Sequence, residues 1–226
     1  TTGIVTATLA TSDVTAIIDS SNGITETGHA LTITIGTGDK TVSAANLNTI
    51  DGITTVAVNA SNVTTISSST LDAINTLYTS SGVSGLGNEA ITVSDSGSIA
   101  ASTLSAIAAV NTSGTITATS AATVTGTAAE IIASFGNNTI TEASNVAITV
   151  NSGTASLSDA RTIDGYTTGV VTATIADTRV SDLVGSSPLL DANGNNAFTV
   201  TIGTADAEIT AAVSYTHLRA HETLAD

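Results

Sequence analysis

The chain has 226 residues, 41% of them hydrophobic, which is enough for one or two domains; aromatics are 2% and Trp, Met and Cys are absent, so any core must be built from Ala, Val, Ile and Leu. Charged residues make up 10%, nineteen Asp and Glu against four Lys and Arg, and a net charge of −15 excludes nucleic acid and anionic lipid as partners, because binding either requires a basic surface that releases counterions. A mean hydropathy of +0.36 opposes disorder, and no uninterrupted run of about 18 apolar residues exists to insert into a membrane.

Thr1-Thr2-Gly3 opens without an initiating Met or a basic leader, as expected of a fragment cut from a longer chain. The lack of cysteine fits an exported bacterial protein as well as a cytosolic one. "VTATL" (5–9) then alternates with period two, which puts Val5, Ala7 and Leu9 on one face and Thr on the other. "SDVTAII" (12–18) is a short helical run, and "ALTITIGT" (30–37) is a strand with Leu31, Ile33 and Ile35 facing inward. In "SAANLNTI" (43–50) the period changes, and Leu47 and Ile50 fall on a helical stripe. The strand "TVAV" (55–58) precedes a second such stripe, Leu71, Ile74 and Leu77 in "SSTLDAINTL" (68–77). "AITV" (90–93) precedes a third, Leu104, Ile107 and Val110 in "ASTLSAIAAV" (101–110). After the strand "TITAT" (115–119), "TAAEIIASF" (127–135) carries Ile131, Ile132 and Phe135, with Thr127 and Glu130 spaced as a capping box. A second "AITV" (147–150), the helical run "SDARTI" (158–163), the strand "VTAT" (171–174), the run "RVSDLV" (179–184) and "AFTVTIGT" (197–204) complete the series. Each helical run is expected to begin after Ser or Thr, whose side-chain oxygen satisfies free N–H groups.

The elements repeat. "TGIVTATL" (2–9) returns as "TGVVTATI" (168–175), "ALTITIGT" (30–37) as "AFTVTIGT" (197–204), and "TIDGITT" (49–55) as "TIDGYTTG" (162–169). With the two "AITV" strands read as intermediate copies, the chain divides into units of roughly 50–60 residues, about 3.5 of them over residues 1–212, each made of two strand-and-helix rungs, about eight in all. The expected fold is an α/β repeat solenoid of stacked parallel strands with short helical segments between them, joined by right-handed crossovers. The alternative is an all-β right-handed β-helix in which the helical runs are extra strands and corners.

The pattern stops at Val213, where residues 214 and 217 should be apolar and are Ser214 and His217. "VSYTHLRAHET" (213–223) resembles the translation of a sequencing-library adapter, so residues 213–226 read as a non-native tail, and the His217/His221 pair carries no metal assignment.

No catalytic site is legible. His29 stands in a turn and reads as a loop histidine, while Asp159 with Asp164, and Asp177 with Asp182, read more simply as caps and surface charges than as paired acids. "DANGN" (191–195) places Asp191, Asn193 and Asn195 in an oxygen-rich turn that is a weak calcium candidate, since no Glu closes it. Thr-x-Thr pairs at 6/8, 32/34, 117/119, 123/125, 172/174 and 199/201 raise the idea of a hydroxyl lattice for ice.

The repeated "VTAT", "TIDG" and "AITV" segments and the Thr/Ala/Ser-rich acidic composition resemble repetitive stretches of giant bacterial cell-surface and adhesin-like proteins, of the marine and cyanobacterial kind. The resemblance implies an extracellular spacer module, no enzyme, and neighbouring repeats of the same chain as partners. The rival expectation is a binding module that uses one solenoid face for calcium or ice.

Overall fold

The computed structural model describes residues 3–9, 13–19, 21, 24, 27–151, 153–179 and 196–202. In chain order the elements are β1 (Thr6–Thr8), α1 (Val14–Ile18), β2 (Ala30–Thr32), β3 (Thr41–Ser43), α2 (Ala44–Ile53), β4 (Val58–Asn59), β5 (Thr65–Ser69) and α3 (Leu71–Thr79). There follow β6 (Val83–Ser84), β7 (Ala90–Val93), β8 (Ser98–Ala100), α4 (Ala101–Val110), β9 (Ile116–Ala118), β10 (Thr123–Gly126), α5 (Ala128–Phe135), β11 (Ile140–Glu142), β12 (Ala147–Val150), α6 (Leu157–Asp164), β13 (Val171–Thr178) and β14 (Ala197–Ile202). The fold is α/β, with parallel strands in sheets interleaved with helices. The helical runs are helices, so the all-β alternative does not describe this chain. "RVSDLV", the calcium candidate turn and the tail lie outside the described residues.

Among the described residues every strand pair is parallel, and partners follow one another along the chain at a nearly constant strand step: Thr6 pairs with Ala30, Thr65 with Ala90, Thr123 with Ala147 and Thr172 with Ala197. Two five-stranded sheets run in the orders β11-β9-β7-β5-β3 and β14-β13-β12-β10-β8, beside the two-stranded β1-β2 and β4-β6. Parallel pairing needs a crossover of a dozen or more residues, which the intervening helix and turns supply.

The helices keep a different step. Successive helices from α2 onward begin at Ala44, Leu71, Ala101, Ala128 and Leu157; each interval is longer than any strand step, and each helix contacts the next. Because the helix step exceeds the strand step, the helical layer shifts along the strand path. Thus α2 follows β3 directly, whereas positions 151–156 stand between Val150, the end of β12, and Leu157 of α6. Midway the shift makes helix and sheet exchange places. Val83 and Ser84 of β6 pair with Val58 and Asn59, but the residues one strand step further on, Ala108 and Ala109, lie inside α4, and the β4-β6 sheet ends. Conversely, the residues one strand step before Ser98 and Ile99 of β8 are Ala73 and Ile74 of α3, and a new sheet starts at β8.

This corrects one expectation. The two "AITV" strands are not equivalent: β7 pairs with β5 and β9, whereas β12 belongs to the other large sheet and pairs with β10 and β13. Ala90 and Ala147, which open them, are as far apart in the chain as Ala44 and Ala101, the starts of α2 and α4, so the sequence repeat follows the helices rather than the strand register.

One continuous apolar cluster runs between sheets and helices. Leu31, Ile33, Leu47, Ile50, Leu71, Ile74, Leu77, Leu104, Ile107 and Ile131 are buried where the two periods place them, each contributing roughly 1.5–3 kcal/mol by leaving water. Three positions depart from expectation. Val110 is 51% exposed because the stripe Leu104, Ile107, Ala108 continues inward at Asn111 instead. Val5 is 40% exposed and Ala7 is exposed too, since β1 has a single described strand neighbour and its inner side is half covered.

Side-chain caps start most helices. Ser43, Thr70 and Ser156 accept from the N–H three residues on, as does Asp13 for α1, and Thr127 with Glu130 forms the capping box, but α4 starts at Ala100 with no side-chain cap. Three helices receive a second cap from the following step: Asp39 Oδ2 accepts from Val14 N at 2.9 Å, Ser69 Oγ from Ala44 N at 3.0 Å and Asp95 Oδ2 from Leu71 N at 2.7 Å. These bonds occupy N–H groups that a helix cannot satisfy internally.

Candidate functional site

Three of the buried polar side chains lie just past the end of a helix: Thr54 after α2, Asn111 after α4 and Thr167 after α6. Thr54 follows α2 and is buried; its hydroxyl donates to Leu31 O at 2.8 Å and accepts from Leu31 N at 2.9 Å, acting as a strand neighbour for the preceding step. Thr167, in the second "TIDG" copy, is also buried and donates to Val146 O at 2.6 Å. Beside them, the Thr55 N–H donates to His29 O and the Thr168 N–H to Ser144 O, both at 2.8 Å. The repeated motif therefore marks a helix exit stitched to the previous step.

After α4 the same place holds Asn111, fully buried. Its Oδ1 accepts from Glu89 N at 3.0 Å and its Nδ2 donates to Glu89 O at 2.9 Å. A Cβ at Gly114 would collide with the Glu89 carbonyl and the Asn111 amide, which keeps this position a glycine. Glu89 itself is fully buried, and its Oε2 accepts from Tyr78 OH at 2.6 Å, Gly87 N at 2.8 Å and Asn88 N at 3.1 Å. Burial, followed by the Glu89 hydrogen bond, holds the Tyr78 phenol well above its ordinary pKa. The one signal of this residue in the sequence is an acid placed directly before the buried strand β7.

The sequence candidates take structural places. His29 Nδ1 accepts from Val5 N at 3.2 Å, a strand-end contact. Asp159 accepts from Ser156 Oγ at 2.8 Å at the start of α6, while Asp164 accepts from Asn196 Nδ2 at 2.6 Å at its end, so the two acids serve different bonds. Asp182, Asp191, Asn193 and Asn195 lie outside the described residues, and nothing is described of the Asp177 side chain. Among the described residues, no group of three His, Cys, Asp or Glu converges as a metal set.

The Thr-x-Thr pairs are spread over three sheets. Against the strand that follows, one member of a pair faces Thr and the other Ala: Thr8 meets Thr32 but Thr6 meets Ala30, Thr125 meets Thr149 but Thr123 meets Ala147, and Thr174 meets Thr199 but Thr172 meets Ala197. The hydroxyl rows are thus one residue wide. A groove of about 230 Å³ between α3, β8 and α4 is lined by Asp72, Asn75, Asp95, Ser98 and Thr103, where Asp95 already caps α3.

No helix among the described residues is long and apolar enough to cross a membrane. Compared with known proteins, the chain matches no family model, and no curated protein or solved structure is detectably similar to it.

Proposed function

We propose that residues 1–212 form a non-enzymatic solenoid module that serves as an extracellular spacer within a large bacterial surface or adhesin-like protein. The observation that carries the reading is the uniform parallel pairing at a nearly constant strand step, joined by helices that each contact the next. Such steps touch chiefly their neighbours and add length along one axis, which is what a spacer requires. Its outward strand positions supply a weakly interacting cover: Thr41, Thr92, Thr141, Thr172 and Thr174 are exposed and uncharged. Several of the described acids lie at caps, among them Asp13, Asp39, Asp95, Glu130 and Asp159, and a net charge of −15 opposes lateral association. The location and the adhesin context rest on the resemblance of the repeats alone.

Small-angle X-ray scattering on residues 1–212, alone and as a tandem of two, tests the module. The longest dimension should grow with copy number by about 4.8 Å per step while the cross-sectional radius stays constant. A cross-section that widens with the second copy would overturn the proposal.

A further inference from the structure

Glu89 is the only buried acid among the described residues, and it sits beside the place where α4 displaces the β4-β6 sheet. One step earlier, the corresponding corner at residues 60–64 is closed by apolar side chains, with Ala60 and Val63 both buried. Their counterparts one strand step on, Gly85 and Asn88, cannot fill that space. Gly85 is further constrained: its φ is 85°, and a Cβ there would lie 2.8 Å from Ser61 N. Gly87, at φ 144°, turns the chain so that its own N–H and that of Asn88 point at one spot, and Tyr78 OH arrives at the same spot from α3. Successive main-chain N–H groups that converge in this way form a concavity for an anion. The group that fills it is the Glu89 carboxyl, whose Oε2 takes all three donors while Oε1 bonds nothing among the described residues. The main chain of Glu89 needs a neighbour on its far side, and Asn111 supplies it from the residue after α4.

We propose that the Gly85–Glu89 corner is an anion-binding nest that the chain fills with its own Glu89 carboxylate, and that this internal ion fixes where α4 takes over the place of the sheet. The carboxylate does here what Val63 does one step earlier, and it adds charge-assisted bonds that orient the loop. Emptied of the side chain, the nest keeps its three donors and should accept a small carboxylate from solution.

The experiment uses the full chain. Glu89→Ala is melted in sodium formate, in sodium chloride of equal ionic strength and in formamide, beside the unmodified chain and Glu142→Ala. The expected result is a melting temperature several degrees lower for Glu89→Ala, with a saturable recovery in formate that formamide and chloride do not give and that the other two proteins do not show. A Glu89→Ala chain that melts like the parent, or gains no more from formate than the parent does, overturns the proposal. If Glu89→Ala does not fold, Tyr78→Phe decides, because it removes one donor and leaves the carboxylate in place: a lowered melting temperature supports the nest, and an unchanged one overturns it.

Discussion

Thr54 and Thr167 show why a hydroxyl on a branched carbon recurs at the helix exit. Each side chain is buried and its oxygen reaches a main-chain group of the preceding step; Val would lack the oxygen and Ser the branching methyl group. The repetition of "TIDG" was legible in the sequence; its purpose was not, because the partners Leu31 and Val146 belong to the preceding step, far upstream in the chain. Glu142 carries the clearest pH consequence. Half-buried on β11, it has its pKa raised above the usual glutamate value, chiefly by burial and against the opposing bond from Ser134 Oγ at 3.1 Å. An acid with a raised folded pKa holds its proton more tightly folded than unfolded, so its contribution is full below the ordinary glutamate value and is lost as pH rises through the folded one. Glu142→Gln should therefore be more stable than the parent at about pH 7, and that advantage should shrink towards about pH 4, near the unfolded glutamate value. Urea midpoints of both proteins at the two pH values check this, and an advantage that grows on acidification would contradict the burial argument.

At the scale of elements, the helices were legible because a stripe such as Leu71, Ile74, Leu77 has only one way to be buried. Strand partners were not. Strands such as "AITV" and "TITAT" present the same alternation, and main-chain ladders do not read side-chain identity, so nothing in the letters assigned β7 and β12 to different sheets. The true register is instead recorded in bonds from one step to the next. Asp95 accepts from the first N–H of α3, as Asp39 does for α1 and Ser69 for α2. Asp95→Ala should cost about 1 kcal/mol, the ordinary loss for a helix cap, measured by urea denaturation. Asp72→Ala, in the exposed first turn of the same helix and without this cross-step bond, should cost a few tenths of a kcal/mol at most. Equal losses from the two substitutions would show that Asp95 acts by charge rather than as a cap.

For the whole molecule, the strand step, as from Ile148 to Val171, is shorter than the helix step, as from Ala101 to Ala128, so the described steps do not share identical surroundings. A five-stranded sheet can begin at β8 only because α3 and α4 occupy different places along the strand path. What is continuous across that exchange is the apolar cluster, in which Leu104 of α4 is fully buried and the helices on either side contact it. If the proposed solenoid couples nearest neighbours, damage at this point should spread outward and fade. Leu104→Ala should cost about 2–5 kcal/mol through the cavity it leaves, and hydrogen exchange should report the greatest loss of protection in α3, α4 and α5, with less in β3 and least in β13. Loss of protection to one common level along the whole chain would instead mean a single cooperative unit, in which the junction between α3 and α4 is held as firmly as either end and the step-by-step description of stability fails.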